Sequence, residues 1–158
     1  MLAGRLTQTA LRVLDWLAAK TLAPDRTAEH LQTGRLGEED AYFFLRRRGY
    51  TMIARNYRSP NHRGELDLVG WDGDVLCFVE VKTRTTRAVK PAEAAVDRDK
   101  QEDLRRVAQD FLRHMRVSCH SRFDVIAVYY DCGFSQPSFE LFQNAFPVAY
   151  NYRFARSH

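Results

Sequence analysis

Asp67, Glu80 and Lys82 are the residues whose types and spacing could do chemistry, with Glu65 just ahead of them. Glu65-Leu66-Asp67-Leu68-Val69 alternates charged and apolar side chains, and Val75 to Lys82 is rich in β-forming residues. Asp72-Gly73 between them signals a two-residue hairpin turn. With those two as the loop, Glu65 faces Glu80, Asp67 faces Phe78 and Val69 faces Leu76. Alternation then sets Glu65, Asp67, Glu80 and Lys82 on one face, and Leu66, Leu68, Cys77, Val79 and Val81 on the other as core. Directly opposed Cβ atoms lie roughly 4.5–5.5 Å apart, and like charges there are destabilising. A hard divalent cation, Mg²⁺ or Mn²⁺, would explain the cluster. Such an ion is held by one or two carboxylates, with water and substrate phosphate completing its shell. Lys82 would then orient the attacking water and stabilise developing negative charge. The same pattern fits an edge hairpin with a solvated polar face, where Glu80 and Lys82 are merely charged neighbours.

The choice of lysine is informative. Of 24 basic residues only four are Lys (Lys20, Lys82, Lys90, Lys100), so a compact ammonium stands where the chain otherwise prefers guanidinium. A further acid comes from the helix expected over Leu36 to Arg48, whose inward stripe is Ala41, Phe44 and Leu45. Glu38, three residues before Ala41 and seven before Leu45, falls on that stripe, where a carboxylate is costly unless partnered. A first-turn acid complementing the helix dipole is the other reading of Glu38.

Around these residues the elements read α-α-β-β-β-α-β-β, a mixed α/β domain with a sheet flanked by helices. Residues 1–33 read as an amphipathic helical extension, with Leu6, Ala10, Val13, Leu14 and Leu17 on one side, and the domain proper as 34–158. That helix offers a surface for a protein partner or a second copy of the chain. A strand is expected from Tyr50 to Tyr57, a loop over Ser59 to Gly64 and a polar loop over 83–96. A helix from Asp97 to Met115 and a strand from Arg122 to Tyr130 follow, with a short last strand at Phe139 to Phe142. Tyr57 reads as core or as a base-stacking ring, Arg46-Arg47-Arg48 as a dipole complement, and Arg122 with Asp124 as a structural ion pair.

With 45% apolar and 28% charged residues among 158, the chain can bury a real core. No window approaches the ~20 apolar residues of a membrane span. Arg12, Asp15 and Lys20 interrupt the apolar stretch near the start, which points to a cytoplasmic protein. Three cysteines without a CxxC form neither a disulfide framework nor a zinc site. The net charge of +4 permits nucleic-acid binding without arguing for it.

Gly34-Arg35-Leu36-Gly37-Glu38 with Ala41, Gly49-Tyr50, Asn56-Tyr57-Arg58, Gly64-Glu65-Leu66-Asp67-Leu68, Phe78-Val79-Glu80-Val81-Lys82-Thr83-Arg84 and Arg122-Phe123-Asp124-Val125 form an ordered set. The set closely resembles the bacterial YraN-like family. That family is similar to the restriction-endonuclease-like, PD-(D/E)XK superfamily, which includes archaeal Holliday-junction resolvases. The resemblance covers 34–129 and implies a restriction-endonuclease-like core with metal-dependent nuclease activity. Asp67 would be the motif aspartate, Glu80 and Lys82 the (D/E)XK pair, and Glu38 the helix acid. Lys100 falls on the following helix, where relatives carry a polar or basic residue facing the site. Leu66 stands where such relatives commonly have Pro, and the first thirty residues and the Ser59–Arg63 loop extend beyond the usual pattern.

The expectation is a Mg²⁺- or Mn²⁺-dependent endonuclease acting on DNA, branched or single-stranded. Asp67, Glu80 and Glu38 would serve the metal, and Arg58, Arg63, Arg84, Arg87 and Lys100 would grip the backbone. A non-catalytic nucleic-acid-binding or adaptor module on the same fold is the alternative. A non-nuclease phosphotransfer enzyme ranks below both, because no nucleotide-binding loop is present.

Overall fold

The structure, a computed structural model, describes residues 26–85, 96–130 and 136–148, with side chains from residue 32 onward. Most of the expected N-terminal helix, and Arg87, lie outside these residues. The chain divides into two units, 1–33 and 34–158, and the second holds the sheet and the candidate site. Helix α1 (Arg26–Arg47) begins ten residues before the expected Leu36 and crosses that boundary. Strands β1 (Thr51–Arg58), β2 (Glu65–Asp72) and β3 (Val75–Arg84) follow. Helix α2 (Arg98–Met115) leads to β4 (Ser121–Tyr129) and β5 (Ser138–Phe146), the last longer than expected. The five strands lie in sequence order in one sheet, antiparallel except for the parallel β3–β4 pair that α2 connects. This is the mixed sheet flanked by helices that the residue pattern predicts. No helix among the described residues is long and apolar enough to cross a membrane.

Each helix buries one stripe against one sheet face. Ala41 and Leu45 of α1 cluster with Tyr50, Leu68, Cys77, Val79, Ile126 and Val128. Leu104, Val107, Ala108 and Phe111 of α2 cluster instead with Val69, Phe78, Phe123 and Val125. Neighbouring positions such as Cys77 and Phe78, or Val125 and Ile126, thus serve opposite faces. Gly37 lets α1 approach β3 closely, since a Cβ there would collide with the Thr83 side chain.

Two expectations about the hairpin are corrected. The turn is Gly73-Asp74 rather than Asp72-Gly73, because Asp72 pairs with Val75 and Gly73 takes φ 61°. A glycine with positive φ at the first central position suits a type II′ turn. The register therefore shifts by two residues, with Leu68 opposite Val79 and Val69 opposite Phe78. A shift of two preserves which face each side chain occupies. It does not preserve the partners, so Glu65 no longer faces Glu80. Glu65 pairs across to Arg58 of β1 instead, with a 2.6 Å ion pair.

Leu66 is the second correction, for it joins the α2-side cluster while Leu68 joins the α1 side. Alternation on β2 therefore breaks between Leu66 and Leu68. Asn56, between the Arg55–Leu68 and Tyr57–Leu66 pairs, sits at φ 49° in the left-handed region. Tyr57 packs against the same α2-side cluster as Leu66, and its ring meets Phe111 edge-on at 4.8 Å. Tyr57 is core.

Candidate active site

Strand β3 carries Phe78, Glu80 and Lys82 at alternate positions on the α2 side, and β2 brings Asp67 beside them. The β2–β3 ladder ends at the Leu68–Val79 pair. Just past it the Asp67 carboxylate, rather than a backbone carbonyl, accepts the Val81 N–H at 2.8 Å. Helix α2 supplies the third wall. Asp97 caps it by accepting the Lys100 N–H at 2.8 Å, which sets Lys100 in the first turn.

Both carboxylates are withdrawn from water, Asp67 at 8% and Glu80 at 5% exposure. Lys82 donates to Glu80 Oε1 at 2.9 Å, and the Lys100 ammonium lies 3.5 Å from the same oxygen. The other oxygen, Oε2, is buried with no hydrogen-bond partner. Burial, and after it the charge of Glu80, push Asp67 up to about 7, against the opposing pull of the Val81 N–H and Lys100. An unpartnered buried carboxylate oxygen costs free energy, and so does a second carboxyl forced toward its neutral form. The pair is assembled at an energetic cost.

Glu38 sits half-buried on α1, as its place on the inward stripe predicts. Burial raises its pKa, and a side-chain hydrogen bond with Asn56, together with Arg55 and Arg35, opposes that. Its charge reaches Asp67 through space. Among the described residues no three His, Cys, Asp or Glu side chains come close enough to cage an ion. The fold thus brings Asp67, Glu80, Lys82 and Lys100 together, with Glu38 bearing on them at longer range. Of the four arginines expected to grip phosphate, Arg58 is engaged with Glu65 and Arg63 is exposed on the β1–β2 loop. Arg84 closes β3, its carbonyl accepting the Tyr130 N–H at 2.8 Å.

Three polar contacts escaped the sequence reading. Asn56 bonds to Glu38 across β1 and α1. Asp110, buried on α2, accepts the Ser59 hydroxyl at 2.6 Å and pins the start of the loop that leads to β2. The Tyr130 hydroxyl donates to Asp40, tying the residue just after β4 to α1. Only Asp110 had a readable signal. It lies between Val107 and Phe111 on the core-facing stripe of α2, the same anomaly that singles out Glu38.

Comparison with known proteins agrees with the resemblance read from the motifs. A protein of Koribacter versatilis described as a UPF0102 protein is 52% identical over 140 residues, covering 89% of this chain and 94% of its own. One from Solibacter usitatus is 44% identical over 114 residues, covering 72% and 84%. One from Desulfosudis oleivorans is 39% identical over 116 residues, covering 73% and 89%. Residues 37–128 match the family described as "Uncharacterised protein family UPF0102", a span that contains Glu38, Asp67, Glu80, Lys82 and Lys100. The chain belongs to the UPF0102, YraN-like family, whose restriction-endonuclease-like fold is consistent with the sheet and helices described above.

Proposed function

We propose that this protein is a metal-dependent endonuclease that hydrolyses phosphodiester bonds of DNA. The observation that carries the reading is Glu80 Oε2, a buried carboxylate oxygen without a partner, beside the buried Asp67 carboxyl whose pKa burial and Glu80 raise. Two oxygen-bearing acids under mutual repulsion fit a hard divalent cation, which needs one or two protein carboxylates and takes water and phosphate for the rest. Asp67 and Glu80 would hold Mg²⁺ or Mn²⁺, which when bound supplies Lewis-acid stabilisation of charge on the phosphate. Glu38 supports that pair electrostatically rather than as a third member of a preformed cage.

The chain's own residues divide the remaining work. Lys82, held by Glu80 at 2.9 Å, keeps an ammonium at the edge of the pair, where it orients a water for attack on phosphorus. Lys100 shares Glu80 Oε1 with Lys82 and limits the cost of holding both acids charged. The Val81 N–H fixes one Asp67 oxygen. Incubation of the protein with labelled branched, flap and single-stranded DNA plus Mn²⁺ tests the reading. Cleavage is expected, with a loss on the order of a hundredfold or more in Asp67→Ala and in Lys82→Ala. Cleavage that persists in both variants contradicts it.

One fact favours a second reading, the non-catalytic nucleic-acid-binding module: no three-ligand cage is preformed among the described residues. Calorimetric titration with Mg²⁺ and Mn²⁺ separates the two. Binding that Asp67→Asn removes supports the nuclease, and the absence of binding even at millimolar ion supports the module.

A further inference from the structure

The outer face of α1 carries chemistry that the carboxylate site does not use. Ala41 and Leu45 point inward with no exposure, and Phe43, two residues from each, therefore points away from the sheet. It leaves 45% of its surface in water, an unusual place for a large aromatic ring. It makes a T-shaped contact with Tyr42, ring centroids 5.3 Å apart at 86°. Tyr42 in turn lies under two guanidiniums, Arg55 of β1 at 4.8 Å and Arg46 at 5.9 Å. Both arginines are exposed, so their guanidiniums lie on an aromatic ring at the protein surface. Arg47, one helical turn beyond Phe43, adds a third exposed cation.

Arg55 belongs both to this face, through the Tyr42 ring, and to the electrostatic surroundings of Glu38 on the same helix.

We propose that Phe43, with the Tyr42–Arg46–Arg55 stack beneath it, is a platform on which unpaired bases of the nucleic-acid strand are held. The inference rests on reading the carboxylate site as a phosphodiester site, and it assigns the substrate class: nucleic acid with single-stranded character rather than intact duplex. Charge complementarity favours this occupant, since guanidiniums beside an exposed aromatic ring match phosphates beside bases. A base within a duplex offers no free face to the ring.

The test is fluorescence anisotropy of the full-length protein at fixed salt in EDTA. The probes are a labelled oligothymidine strand and a blunt duplex of equal length. Phe43→Ala is expected to weaken binding of the strand on the order of tenfold while changing duplex binding by less than about twofold. Phe43→Trp keeps the ring and should retain strand affinity. Arg55→Ala should weaken the strand and lower the salt slope by about one. Phe43 is exposed, so Phe43→Ala should melt like wild type, and Phe43→Trp controls for any change that does occur. Strand affinity unchanged in Phe43→Ala, or strand and duplex weakened equally, overturns the platform. Failure of the two readings is distinguishable. If wild type cleaves flap DNA with Mn²⁺ but Phe43→Ala binds normally, only the platform falls. If nothing is cleaved yet Phe43→Ala loses the strand selectively, only the nuclease falls.

Discussion

Two buried carboxylates on adjacent strands of this sheet live in opposite circumstances. Asp124 of β4 pairs in register with Val79, one step from Glu80 of β3, and the two side chains serve opposite faces. Asp124 has no exposure, yet both its oxygens are satisfied. Arg122 Nε approaches them at 2.9 and 3.1 Å, and the Asn144 N–H donates to Oδ1 at 2.8 Å. Arg122 is spoken for as well, donating to Asp72 at 2.7 Å and to the Tyr50 hydroxyl at 2.9 Å. Glu80 has two ammoniums on one oxygen and nothing on the other, beside a second carboxyl that burial drives toward neutrality. The same fold that completes one polar network leaves its neighbour incomplete. A closed network contributes to the uniqueness of the fold, and under the proposed function the open one is where a metal ion would complete the arrangement.

Breaking the closed network should cost most. Asp124→Ala leaves the Arg122 Nε–H and the Asn144 N–H without their buried acceptor, although Asp72 still pairs the Arg122 charge, and is expected to destabilise the protein by roughly 3 kcal/mol, measured by urea denaturation. The open pair should respond with the reverse sign. Native Asp67 holds its proton up to about pH 7, whereas its ordinary value is 3.8. Between those limits the native state binds more protons than the unfolded state, so this group's contribution to stability falls as pH rises from about 4 to about 7. Asp67→Asn should therefore stabilise the metal-free protein at pH 8, on the order of 3 kcal/mol, and flatten that part of the pH profile. Its amide oxygen still accepts the Val81 N–H.

Lys100→Met tests the same pair from the cation side. Removing an ammonium that favours charged Asp67 should raise the midpoint of the pH transition further and cost about 1 kcal/mol at pH 8. Arg58→Ala, which breaks an ion pair whose arginine is largely solvent-exposed, should change stability by less than about 0.5 kcal/mol. An Arg58 effect as large as that of Asp124 would erase the distinction between buried and rim charges on which the comparison rests.

The candidate site was legible where strand alternation alone decides. Glu80 and Lys82 are two residues apart on β3, and Arg122 and Asp124 two apart on β4, so period-two reasoning places each pair on one face whatever the register. Asp67 survived a misread turn because the shift was by two residues. Glu65 did not, since its partner depends on register rather than parity, and the left-handed Gly73 moved the loop by one position. Leu66 packs on the α2 side although Leu68, two residues on, packs on the α1 side, a break in alternation that no hydrophobic pattern announces. The bond between Ser59 and Asp110 spans 51 residues, and only the packed fold brings them together.

The most direct test of the open carboxylate pair is thermal melting of wild type and Asp67→Asn at pH 8, each with and without saturating Mg²⁺. Without the ion the Asn variant should melt higher. With it wild type should gain stability that the variant does not, as a ligand bound only by the native state requires. Equal shifts in both proteins, or none in wild type, would contradict the account.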